Sequence, residues 1–253
     1  MHFVSPIYKI ALILLAGLIA LYAFQAYYPM FMSVFSNSFL AVIAGAAVIC
    51  SGFSLQKYWY KAKEQFSIVW LFFTLGLFLW FVGEAIRVGY TLVWNMEMPY
   101  PSLADFFWLG GCVPLFLALY LYVEIFRSVL SRGILAASMT VTLGLALFIS
   151  VSVITPVVKT EDVITRIVGF LYPILDTALL SMTFLGLLIF LKGSLGKSWA
   201  FICSGVLLNA WADVLFSYTE LRRTYYAGHP IELLYAVSYL FFLLAFYIHV
   251  KEL

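Results

Sequence analysis

Apolar, charge-poor stretches of about 20 residues recur eight times along the chain, at residues 8–28, 32–54, 67–92, 103–126, 133–156, 164–191, 198–219 and 232–250. A helix needs about 20 residues to cross a bilayer, so every stretch qualifies. Lipid supplies no partner for a free backbone amide, which leaves helices as the spanning form for such segments. The connections are short. The pattern therefore predicts an all-α integral membrane protein, a single bundle over residues 1–253 with eight transmembrane helices. The first stretch, which follows one lysine as a cleaved leader would, is read as a retained span because the repeat described below requires it.

Composition agrees. Hydrophobic residues make up 65% of the chain and charged residues 10%, against about 45–50% and about 25% in soluble domains. So few charges cannot coat a soluble surface; the lipid bilayer is the first partner and the cell membrane the expected location. The net charge of +2, with no basic run beyond KYWYKAK, excludes nucleic-acid binding. Cys50, Cys112 and Cys203 all fall inside apolar segments and read as small core residues, not as a disulfide framework or a zinc site.

Loop charges set an orientation. With the N-terminus inside, Lys9, Lys57, Lys61, Lys63, Arg127, Arg132, Lys192, Lys197 and Lys251 lie on the inner side, while Arg87, Lys159, Arg166, Arg222 and Arg223 fall in the outer half. The positive-inside rule thus places both termini in the cytoplasm. Acidic residues are skewed the other way: only Glu64, Glu124 and Glu252 lie inside. Acids contribute little to topology, so their outward excess calls for a different cause.

A faint internal repeat is also present. Sliding the chain by about 129 residues lays LFLWFVGEAI on LLNAWADVLF, so that Glu84 meets Asp213; a slightly shorter shift lays ADFFWL on IELLYA, pairing Asp105 with Glu232 and Trp108 with Tyr235. An offset of four helices preserves direction, which predicts two parallel repeats, residues 1–128 and 129–253, about an axis normal to the membrane.

A charge at membrane depth costs about 2.5–3.5 kcal/mol even on lenient insertion scales, so each one is expected to be paired, inward-facing or functional. Trp80, Glu84, Arg87 and Thr91 form one stripe on the third segment, which is either a self-neutralising pair or the wall of a cavity. Asn209, Asp213, Ser217 and Glu220 form another on the seventh, where Asp213 needs a partner from elsewhere, with Arg87 or Arg166 as the donor. Asp176 is the deepest charge, three residues after Pro173, whose missing amide loosens the helix; it is either structural or part of an ion or ligand site. Ser102 and Asp105 have capping-box spacing, which makes Asp105 a helix start at the outer rim, with Glu232 in HPIELLY as its counterpart.

Several chemistries lack residues. His2, His229 and His249 do not combine into a haem or metal site, and no lysine sits in a span as a Schiff base would require. There is no GxSxG, HExxH or phosphate loop, so no catalytic residue and no cofactor is assigned; a hydrolase would have to work through a carboxylate pair such as Glu84 and Asp213. Aromatics are 19% of the chain. Many, including Trp94, Trp211, Tyr90 and Tyr226, cluster toward the outer side, as belt and packing residues or as the walls a cationic or aromatic ligand would use.

Glu84 in the third segment, the signature PxPSLADxFWL (Pro99, Pro101, Ser102, Asp105, Trp108) and YPxxD (Tyr172, Pro173, Asp176) together resemble the membrane-embedded sensory regions that precede diguanylate cyclase, phosphodiesterase or kinase domains in bacteria and archaea. The resemblance implies that a signal is perceived at the outer face or within the membrane and passed inward by helix shifts. Only Lys251, Glu252 and Leu253 follow the eighth segment, so the change would be handed to a separate membrane or cytoplasmic protein, with a homo-oligomer also open.

Two functions follow. One is a non-enzymatic sensor or receptor-like subunit whose outward cavity is lined by Glu84, Arg87, Asp105, Asp176, Asp213 and Glu232, with Trp80, Tyr172 and Asn209 beside them. The other is a small-solute or ion transporter or channel, built on the parallel repeats, that uses Asp176 as a midplane coupling carboxylate. The inner halves of the segments carry only Ser, Thr and Cys as polar groups, which favours the sensor.

Overall fold

The computed structural model describes residues 6–61, 64–154, 157–158, 162–191 and 196–252. His2, Lys63, Lys159 and Lys192, used above in the histidine and loop-charge arguments, lie outside the described residues. Within those described there are eight helices long and apolar enough to cross a membrane: α1 (Pro6–Ala23), α2 (Pro29–Lys61), α3 (Glu64–Leu92), α4 (Leu103–Ile125), α5 (Arg132–Ile149), α6 (Val163–Leu191), α7 (Lys197–Leu221) and α8 (Glu232–Glu252).

Where the helices depart from the hydropathy windows, local chemistry explains it. The first window runs to residue 28, but α1 stops at Ala23 and a 3-10 turn, Gln25–Tyr27, leads into Pro29. Proline fits the first turn of a helix because its missing amide would be unpaired there anyway. The fifth window is not one regular helix: α5 passes at Ser150 into a π turn, Ser150–Ile154. Its sequence, SVSVI, combines β-branched residues, which pack poorly against the preceding turn, with serines that compete for backbone groups. Prolines lie inside α4 (Pro114) and α6 (Pro173), and at the latter Thr177 Oγ donates to the Pro173 carbonyl at 2.7 Å.

Six of the helices close a ring in the order α2, α3, α4, α6, α7, α8 and back to α2. α1 packs outside it on α8 and α5 outside it on α6, and these two are the least buried of the eight. Hydropathy gave no sign of this division, since a lipid-facing Leu and a core Leu score alike. The end of the ring nearest Pro6 and Glu252 is termed proximal. The distal end carries the α1–α2, α3–α4, α5–α6 and α7–α8 connections.

The tightest seam is α3 against α4, where small residues let the backbones approach. A Cβ on Gly76 would come within 2.5 Å of Leu115 Cγ, and one on Gly111 within 2.5 Å of Trp80 Cδ1 and 2.9 Å of the Gly76 carbonyl. The indole of Trp80 thereby lies flat enough against α4 for Nε1 to donate to the Trp108 carbonyl at 3.0 Å. Toward the proximal end the interior of the ring is filled by Trp70, Phe73, Tyr122, Trp199, Phe246 and His249, with Trp70 stacked on His249 at 4.2 Å and lying 5.8 Å from Trp199.

Candidate functional site

Above that aromatic layer the ring opens into a cavity of about 410 Å³ that reaches the distal end. Its walls come from the start of α2 (Met30, Asn37), the third-helix stripe Trp80, Glu84, Arg87 and Thr91, the α3–α4 connection (Met96, Glu97, Tyr100), Tyr172 on α6, Asn209, Asp213, Phe216 and Glu220 on α7, and Tyr225, Tyr235 and Tyr239 around α8. The stripe on α3 thus faces the cavity along its whole length, as helical spacing predicts. The stripe on α7 does so with one exchange: Ser217 is buried against neighbours, and Phe216 takes its place in the wall.

Glu84 and Asp213 each lie eight residues before the distal end of their helix, or about 12 Å deep at 1.5 Å per residue. Arg87 is one turn above Glu84. Its Nε stands 3.4 Å from Glu84 Oε2 and its Nη1 3.8 Å from Glu232 Oε1. The pairing expected between Arg87 or Arg166 and Asp213 is not what the fold makes. Arg87 is drawn to Glu232, which reaches it from the start of α8, whereas Asp213 is held by neutral donors, Asn209 Nδ2 at 3.1 Å and Tyr235 OH at 2.6 Å. Tyr239 OH donates to Glu84 Oε1 at 3.4 Å.

Glu84 and Arg87 are almost fully buried, yet Glu84 Oε2, Arg87 Nε and Nη2, Trp108 Nε1 and Asn209 Oδ1 have no hydrogen-bond partner among the described residues. Each such group left unpaired in a dry interior costs about 1–3 kcal/mol. A cavity wall holding several of them, donors and acceptors both, has hydrogen-bonding capacity that the chain itself does not use.

Three predicted wall residues sit behind the wall instead. Asp105 is 1% exposed and starts α4: it accepts from Ser102 N at 2.6 Å and Ser102 Oγ at 2.9 Å, while Ser102 Oγ accepts from Ala104 N at 3.2 Å, which makes the expected capping box. Its remaining oxygen takes Tyr172 OH at 2.8 Å, a tie across 67 residues that spacing could not reveal. Glu232, 0% exposed, is bound by Ser36 Oγ, by Tyr225 OH at 2.5 Å and by Gly228 N at 3.3 Å; Tyr22 OH lies 2.6 Å from Ser36 Oγ. Its start is not a copy of the Ser102 box, because His229 Nδ1 takes the cap position and accepts from Ile231 N at 3.2 Å. Asp176 is buried inside α6 and does not line the cavity.

Outside the spans, burial holds the His229 imidazole below its usual range and pushes the Tyr225 phenol well up, so at neutral pH both are uncharged and Tyr225 can donate to Glu232. The sequence reading missed Tyr239, Phe216 and Ser36. Tyr235 and Tyr239 are three and seven residues after Glu232, so helical spacing from a buried carboxylate was the available signal. Among the described residues, no group of three or more His, Cys, Asp or Glu is placed to hold a metal. No known family, curated protein or solved structure matches this chain.

Proposed function

We propose that this chain is a non-enzymatic, multi-pass membrane sensor or receptor-like subunit that binds a small ligand in the distal cavity. The observation that carries the reading is a polar and aromatic cavity with unused buried donors and acceptors, backed by a proximal half packed with aromatic rings. A site open at one end and blocked at the other suits perception better than passage. The basic loops favour a cytoplasmic proximal end, and on that orientation the cavity opens outward. Occupancy would shift α3, α7 and α8 against one another, and a partner protein would read that shift at the proximal end, as the resemblance to sensory regions implies.

The two-repeat reading has support beyond the carboxylates. Trp70 stacks on His249 while Trp199 stacks on Tyr122; Gly76 meets Leu115 while Gly205 meets Phe242; Asp105 is bonded from α6 while Glu232 is bonded from α2. The residues on α3 and α4 map onto those on α7 and α8 by a shift of 127–129 residues, and those on α2 map onto α6 by 136, Ser36 onto Tyr172 among them. On α2 and α6 the buried positions Leu40, Ile43, Ala44 and Ala47 have the spacing of Asp176, Leu179, Leu180 and Thr183. Asp176 thus occupies a place that is leucine in the other half.

That asymmetry also favours the second reading, a transporter in which Asp176 and Asp213 relay a proton or ion. Reconstituted liposomes separate the two. We expect no counterflow of protons, amines or amino acids, while Asp213→Asn alters ligand-dependent thermal stabilisation in detergent and stays folded. Flux that disappears in Asp176→Asn would transfer the function to transport.

A further inference from the structure

The two stripes that face each other across the cavity differ at one position. Glu84 has Arg87 three residues later, and the same place after Asp213 is Phe216. The carboxylate of α3 therefore carries its own guanidinium, while that of α7 has only the amide of Asn209 and the phenol of Tyr235. Asp213 also keeps partial exposure although Ala212 and Val214 beside it are buried. Since Asp213 lines the cavity, that surface opens into it.

The remaining charge has the same sign. Among the described lining residues, Glu84, Glu97, Asp213 and Glu220 are acidic and Arg87 is basic. Asn209, 6% exposed, holds an unpartnered Oδ1 beside Asp213. That oxygen and the Asp213 carboxylate, which lacks a cationic partner, are acceptors that suit an N–H donor. Around them stand Trp80, Tyr172, Phe216, Tyr235 and Tyr239, rings whose faces attract a cation.

We infer that the cavity binds a small organic ammonium ion with an aromatic or apolar body. Its charged nitrogen sits beside Asp213 and Asn209 Oδ1, in the place Arg87 occupies beside Glu84, and its body lies against the aromatic wall. The inference rests on the reading of the cavity as a ligand site. A volume of about 410 Å³ is at the small end of pockets for metabolite-sized molecules, which suits a small amine.

Calorimetric titration of the purified protein at pH 7.5 with 2-phenylethylamine, 2-phenylethanol and 3-phenylpropionate tests it, because the three share a body and differ in charge. The amine is expected to bind at least about tenfold more tightly than either analogue. Asp213→Asn should weaken it by about tenfold or more. Phe216→Arg, which supplies the missing guanidinium from the chain, should abolish amine binding and raise the melting temperature, a gain that an unfolded variant could not show. Amine affinity unchanged in both variants overturns the inference. So does tighter binding of 3-phenylpropionate, and if that binding is lost in Arg87→Gln the cavity remains a ligand site of the opposite preference. No heat and no melting shift with any of the three overturns the inference together with the ligand-site reading.

Discussion

Asp105 accepts three hydrogen bonds at the first turn of α4, two from Ser102 and one from Tyr172 on α6. Losing a cap of this kind costs about 0.5–2 kcal/mol, and a buried phenol left without its acceptor adds about 1–3 kcal/mol. Asp105→Ala is therefore expected to lower the melting temperature clearly, and Tyr172→Phe by less, as read by differential scanning fluorimetry in detergent. His229 gives a pH signature. The folded chain holds its imidazole neutral by burial, while an undocked loop titrates near the ordinary value of about 6.5. The undocked state then binds more protons below that value, so stability falls as pH drops through about 6.5 toward the lowered folded value. The wild type should lose more melting temperature between pH 7.5 and 5.5 than His229→Asn, whose side-chain oxygen can still accept from Ile231 N. The Ser102–Asp105 cap was legible because its partners are three residues apart. The Arg87–Glu232 and Tyr172–Asp105 ties were not, because spacing along one helix says nothing about which distant helix supplies a donor.

At the scale of elements, all eight helices were legible from hydropathy, since the bilayer demands the same length and polarity of each. Their ends and their neighbours were not. Proline and serine chemistry moved the ends of α1 and α5, and the choice of neighbours follows from shape. Gly83 shows this: a Cβ there would lie 2.5 Å from Trp108 Nε1, whereas one on Gly110 meets nothing within 4 Å. Overpacking a tight contact typically costs about 1–3 kcal/mol, and Gly to Ala at an unstrained helical site is neutral or stabilising. Gly83→Val should thus lower the melting temperature by several degrees and disturb the cavity wall, while Gly110→Ala leaves both unchanged or improves the former. Equal loss in the two variants would refute the packing account of the α3–α4 seam.

For the whole molecule, the excess of acidic residues toward the distal end was visible in the sequence and the cavity that collects part of it was not. Glu84, Glu97, Asp213 and Glu220 line the space, but Asp105, Asp176 and Glu232, expected beside them, brace the wall from behind. A one-dimensional pattern gives depth in the membrane; it does not give distance from the ring's axis. The ring itself also sets a schedule for synthesis. Its last seam joins α2 to α8 through Ser36 and Glu232, which are 196 residues apart. At about 5–20 residues per second, roughly 10–40 s pass between the making of one and the other. Until α8 is made, Arg87 has Glu84 but lacks Glu232, Ser36 lacks its acceptor, and the cavity lacks the wall that Tyr235 and Tyr239 supply. Nascent chains halted after Leu221 should accordingly be short-lived in a pulse-chase experiment where chains that include α8 accumulate, which would let the cell discard an unfinished bundle before its cavity is closed.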